Sequence, residues 1–83
     1  MQLLYFAWVR ERIGIGEEQL TPPDAVRTVA DLAEWLKGRS TGHAAAFADL
    51  TRLRAAVDQR FVPLDAPLGS AREVAFFPPV TGG

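Results

Sequence analysis

The chain contains no cysteine. Disulfides therefore cannot staple the fold, cysteine-ligated zinc and thiol nucleophiles are excluded, and the composition fits a reducing compartment. Histidine is almost as scarce. His43 stands alone, with no thiol to activate and no second imidazole at metal-ligand spacing, and it reads as a solvated surface residue. An excess of one charge is also missing. Nine basic against ten acidic residues leave a net charge of −1, which supplies no field to draw nucleic acid or an anionic membrane as partner. The apolar start from Met1 to Val9 is too short to cross a bilayer, and it has neither a basic leader nor a small-residue cleavage site. The expected setting is the cytoplasm. At 83 residues the chain amounts to one domain near the lower limit at which an apolar core alone holds a fold.

What is present divides by period. From Gln2 to Arg10, Leu3, Tyr5, Ala7 and Val9 share one face of a predicted strand, and Leu4, Phe6, Trp8 and Arg10 share the other. The second set is bounded by Gln2 and Arg10. It is assigned to the outer face, as a patch that seeks a partner or as the apolar back of a central strand. Gly14 and Gly16 punctuate a turn, and Glu17 to Thr21 returns as a second strand until Pro22-Pro23 stops it, which makes an N-terminal hairpin. Thr28 with Asp31 resembles a capping box, and Val29, Leu32, Ala33 and Leu36 then recur at helical spacing up to Gly38. Trp35 lies off the centre of that stripe.

Ser40 to Leu53 combines a loop-like Ser40-Thr41-Gly42 with a helix-favouring Ala44 to Leu50, and a short second helix is expected there. Arg54 to Asp58 and Phe61 to Leu64 read as strands about a tight turn at Asp58-Gln59-Arg60, with Pro63 favouring an edge. Glu73 to Phe77 is the last strand. Val74 and Phe76 face in and Phe77 out, unless a one-residue slip reverses them. This order predicts an α+β, β-grasp (ubiquitin-like) fold: a mixed sheet of roughly four to five strands with one main helix across it. Residues 1–77 form the body and residues 78–83 an extended tail.

The acidic residues Asp24, Asp31, Glu34 and Asp49 are scattered, and Gly14-Ile15-Gly16 alone is a weak phosphate-loop signal. They read as caps and solvated faces, and no metal is expected. The end of the chain differs. Phe77-Pro78-Pro79-Val80-Thr81-Gly82-Gly83 leaves a strand through two prolines that favour a stiff, extended path, then reaches two glycines slim enough to thread a narrow channel. From Pro79 to Gly83 the extended chain spans at most roughly 17 Å. A terminal glycine carboxyl is uncrowded, so it can be activated as an adenylate and attacked by a sulfur nucleophile. The resulting thiocarboxylate lets a chain without cysteine carry reactive sulfur. A frayed terminus of small residues is the alternative.

Glu73 to Gly83 resembles the ending of the molybdopterin synthase sulfur-carrier (small) subunits. Phe6-Ala7-Trp8-Val9-Arg10-Glu11 is similar to that family's first strand, and Ala55-Ala56-Val57-Asp58-Gln59 to its mid-chain hairpin. Gly69-Ser70-Ala71-Arg72 replaces the family's usual acidic, glycine-containing turn, and Asp58 stands where asparagine is frequent.

The resemblance implies a sulfur-donor subunit that is not catalytic alone and binds no cofactor stably. An ATP-using adenylating enzyme of the ubiquitin-activating type would charge Gly83, and a sulfur relay would convert it to a thiocarboxylate. The tail, with Gly82 threading, would then enter the large synthase subunit and give sulfur to cyclic pyranopterin monophosphate, inside a heterotetramer of two small and two large subunits. It also implies partner contacts from Phe6, Trp8, Arg10, Phe61, Phe77, Pro78, Pro79, Val80 and Thr81. A thiamine-type or ubiquitin-related carrier, a protein modifier, or an interaction module with an idle tail are the competing readings.

Overall fold

The computed structural model describes residues 1–79. The strands β1 (Gln2–Tyr5), β2 (Glu17–Gln19), β3 (Arg54–Val57), β4 (Arg60–Val62) and β5 (Glu73–Phe77) form one sheet in the order β2-β1-β5-β3-β4. The central pair, β1 and β5, is parallel and the other pairs are antiparallel. Helices α1 (Ala7–Ile13), α2 (Val29–Lys37) and α3 (Thr41–Ala46) accompany the sheet, with a single 3₁₀ turn at Leu50–Arg52. This is the β-grasp, ubiquitin-like arrangement.

The first strand is shorter than its alternation suggested. It stops at Tyr5, and Trp8, Val9 and Arg10 belong to α1. Phe6 keeps one more sheet bond, donating its amide to the Phe76 carbonyl at 3.1 Å. Ala7 then takes a left-handed φ of 55° and the chain turns into the helix. Val9 is fully buried there and Ile13, one turn on, packs against the core, while Arg10, Glu11 and Arg12 face water. Gly14, at φ 97°, ends α1 and donates to the Arg10 carbonyl. The expected hairpin is thus a pair of antiparallel strands with a helix in its connection.

Helix α2 follows its sequence signals. Asp31 N–H donates to Thr28 Oγ1 at 3.1 Å and Thr28 N–H to Asp31 Oδ2 at 3.2 Å, a reciprocal cap. Val29, Leu32, Ala33 and Leu36 are fully buried on one stripe. Trp35 is half-buried, with Arg39 over its ring at 5.3 Å. The loop-like Ser40-Thr41-Gly42 is in fact the cap and first turn of α3, because Ser40 Oγ accepts the His43 amide. Gly42 lies so close to the Arg12 carbonyl and to Ile13 that a Cβ would collide with the α1 backbone, so the two helices approach through glycine.

Alternation in β5 resolves the register as predicted. Val74 and Phe76 are fully buried, and Phe77 faces outward. Phe76 stacks edge-on with Phe47, centroids 4.9 Å apart, and Leu3, Tyr5, Ala55 and Leu53 complete that side of the core. The β3–β4 turn has Asp58 and Gln59 at φ 48° and 70°, the left-handed pair that matches strand twist. Asp58 Oδ1 also accepts the amides of Arg72 and Glu73 at 2.9 and 3.1 Å, tying the hairpin tip to the start of β5. Pro63 follows β4 at the sheet edge, as its missing N–H requires.

Candidate functional site

The inner face of the sheet is covered by helices, and the outer face carries the site. Strand register sets Leu4 beside Ala75, Ala75 beside Ala56 and Ala56 beside Phe61, one row across four strands. The two alanines make a low floor, and Leu4, Phe6, Phe61 and Phe77 rise around it. They enclose a shallow groove of about 470 Å³, with Gln59 and Glu73 at its far end. Phe61 is 81% exposed and Phe6 50%, and the Phe61 and Phe77 rings meet at 5.4 Å. Exposed aromatic rings around an apolar floor leave surface in water that a partner would remove.

The groove is aimed. Phe77 is its wall and the last residue of β5, and Pro78 and Pro79 follow directly, half-buried and exposed. A partner covering the groove is therefore already beside the root of the tail. Val80, Thr81, Gly82 and Gly83 lie outside the described residues. Of the other predicted contacts, Arg10 stands on α1 with its guanidinium over Gly16, next to Leu4, Phe6 and Glu17, at the rim of the outer face. Trp8 does not join the groove. The early end of β1 rotates it into α1, where it packs partly against the core with Arg12 and Arg52 over its ring.

The sequence profile of the ThiS family matches residues 3–83. The chain belongs to the ThiS family. Over 83 residues it is 41% identical to the molybdopterin synthase sulfur carrier subunit of Escherichia coli (strain K12), covering all of this chain and 99% of that protein. It is 36% identical to the subunit of the same name from Haemophilus influenzae, with the same coverage. A solved structure described as a molybdopterin converting factor, subunit 1, from Pyrococcus furiosus superposes with a TM-score of 0.72 at 31% identity, covering 95% of each chain. SAMP1 from Haloferax volcanii shares the fold, with a TM-score of 0.70 at 23% identity, over 100% of this chain and 98% of that one.

One polar cluster of this ThiS-family chain escaped the sequence reading. His43 is buried, only 6% exposed, and not a surface residue. Its Nε2 lies 2.7 Å from Glu18 Oε2 and its Nδ1 2.7 Å from Ser40 Oγ, while Tyr5 Oη donates to the same Glu18 oxygen at 2.7 Å. The grouping of serine, histidine and carboxylate suggests nucleophilic chemistry. Yet the serine bonds Nδ1 rather than Nε2, the carboxylate and the buried phenol occupy the other nitrogen's side, and His43 lines none of the four best-formed grooves among the described residues. The cluster is a clasp joining β1, β2 and α3. Burial and the Glu18 carboxylate push the Tyr5 phenol up, so it stays a donor.

For Glu18, burial pushes the carboxyl up. Hydrogen bonds from His43 and Tyr5, with the charges of His43 and Arg39, outweigh it and leave the group below its ordinary 4.5. A carboxyl depressed in the folded state contributes stability above its unfolded value, and that contribution is lost as pH falls through the folded value. The melting temperature should therefore drop as pH falls below about 4.5. Glu18→Gln should be less stable at neutral pH by about 1.5 to 3 kcal/mol, with a shallower acid decline. Thermal melts followed by circular dichroism across that range test this, and parallel acid slopes for the two proteins would contradict it.

Proposed function

We propose that the chain is the sulfur carrier of a molybdopterin synthase: a folded plug that docks through its outer aromatic groove and delivers an activated C-terminal glycine. The observation that carries this reading is the continuity of the groove wall with the tail through Phe77, Pro78 and Pro79. The relatives named as molybdopterin synthase sulfur carrier subunits, matched along their full length, support it.

The chemistry follows from a terminal glycine. An adenylating enzyme joins the Gly83 carboxylate to the α-phosphate of ATP and releases pyrophosphate. A sulfide-equivalent donor then attacks the acyl carbon and AMP leaves, so sulfur replaces one carboxylate oxygen. In the large subunit the thiocarboxylate sulfur attacks a side-chain carbon of cyclic pyranopterin monophosphate as that carbon's bond to oxygen breaks, the oxygen leaving on phosphate or as water. Hydrolysis of the acyl–sulfur bond then returns the carboxylate and leaves the sulfur on the pterin. Two deliveries build a dithiolene. Phe6, Phe61 and Phe77 hold the body at the channel mouth, Arg10 pairs at the rim, and Pro78 to Gly83 reach inward.

Mass spectrometry of the chain purified from cells with an intact sulfur pathway tests this. A fraction heavier by about 16 Da, the oxygen-to-sulfur exchange at one carboxylate, is expected, and its removal by the large subunit plus pterin substrate completes the test. A chain that never carries the added mass would refute the reading. Copurification with a thiazole synthase, or attachment to target lysines, would move the same chemistry to another pathway.

A further inference from the structure

The groove and the tail leave one charged feature unused. Arg12 Cζ lies 4.4 Å from the Trp8 ring centroid and Arg52 Cζ 5.4 Å from it, so one indole gathers two guanidiniums from separate elements, α1 and the 3₁₀ turn. Arg54 follows two residues later, on the outer sheet face directly opposite Phe77. Its Nη1 is held on the carbonyls of Thr51 and Leu53 at 3.3 and 2.8 Å. Among the described residues, none of these three arginines has a carboxylate oxygen within 4.0 Å. Asp49, three residues before Arg52 and near enough for the Arg52 charge to help lower its carboxyl, spends its hydrogen bonds on Thr51, whose amide and hydroxyl it accepts at 3.1 and 2.6 Å, and Glu11 beside Arg12 faces water.

Like charges gathered with no direct ion pair of their own repel one another, Asp49 offsets Arg52 only from a distance, and the arrangement becomes more favourable when an anion joins it. Its place is specific. Arg54 pairs across the sheet with the last strand residue before the tail, and α1 begins where the Phe6 amide binds the Phe76 carbonyl. A partner that covers Phe77 therefore also meets Arg54. The anion is best supplied by a protein, because a net charge of −1 and a cluster confined to one corner do not make the extended basic stripe that nucleic acid requires.

We propose that Arg12 and Arg52, ordered on Trp8 and joined by Arg54, form a second docking patch that engages carboxylates bordering the channel into which a partner takes the tail. The inference rests on the sulfur-carrier reading and adds the partner chemistry that reading leaves open. The patch orients the plug. The apolar groove binds irrespective of salt, and the arginine corner steers the tail end toward the acidic mouth.

The test compares the wild-type chain, Arg12→Glu/Arg52→Glu and Arg12→Lys/Arg52→Lys for binding to the cognate synthase large subunit and to the cognate adenylating enzyme. Association rates are read at about 0.05 M and about 1 M salt, between which the screening length falls from over 10 Å to about 3 Å. Circular dichroism confirms that each variant is folded. Charge reversal should slow association with at least one of the two proteins by about tenfold or more at low salt, with the gap closing at high salt and the lysine variant close to wild type. Unchanged rates and salt dependence toward both proteins would overturn the patch while leaving the carrier role standing. A wild-type chain that binds neither protein would overturn the carrier reading, and the patch with it.

Discussion

Removing Gly83 is expected to cut molybdopterin formation by at least about 100-fold while leaving the folded body unchanged. The shortened chain still ends in a glycine, Gly82, so neither the slimness of the end nor the identity of its carboxylate is lost. What changes is reach. One residue of extended chain is roughly 3.3 to 3.6 Å, and a reacting group misplaced by about 1 Å already costs on the order of 100-fold. On the proposed docking the body cannot follow the tail inward to make up the distance, because the aromatic walls that would seat it stand at the root of the tail. In vitro reconstitution with large subunit, adenylating enzyme, sulfur source and pterin substrate measures the effect. Product formation close to wild type by the shortened chain would show that the reacting atom is not at residue 83. Circular dichroism should not distinguish the two proteins, since the strands, helices and core of the described residues all lie before Pro78.

Much of this design was readable from residue order, and the parts that were not have identifiable causes. Val74, Phe76 and Phe77 could be placed because β5 is buried on one face and a one-residue slip would turn Phe76 into water. The α2 cap could be read because Thr28 and Asp31 satisfy each other locally. The end of β1 could not. Ala7, Trp8 and Val9 fit a period of two and a helical turn equally well over so few residues, and the decision is made by the left-handed Ala7 and the α1–α3 approach through Gly42. Alternation alone therefore points Trp8 to the outer sheet face, whereas α1 carries it beneath Arg12 and Arg52.

His43 shows a different limit. Its partner, Glu18, is 25 residues away in sequence, and nothing local announces the pair. A signal did exist. Glu18 pairs with Leu3 in the β1–β2 register, on the face where Leu3 and Tyr5 are buried. A carboxylate at an inward strand position needs buried donors, and a neighbouring tyrosine and the chain's single histidine supply them.

The groove itself yields the second large effect, a loss of docking without a loss of fold. Phe61→Ala and Phe77→Ala should each weaken binding to the synthase large subunit by about 1.5 to 3 kcal/mol, or roughly tenfold to somewhat over 100-fold in Kd. Phe61 is the cleaner probe. At 81% exposure it contributes little to the core, so its removal should leave thermal stability close to wild type. Phe77 is half-buried against the sheet and should cost some stability as well. The two rings touch, with centroids 5.4 Å apart, so a partner that covers one must cover the other. The double variant should then lose less than the sum of the single losses. Arg10→Ala, at the solvated rim, should cost about 1 kcal/mol or less. Isothermal titration with the purified large subunit ranks the four variants. If Arg10→Ala weakened binding more than Phe61→Ala, the interface would be held by its rim and not by the groove, and the small alanine floor of Ala56 and Ala75 would need another explanation.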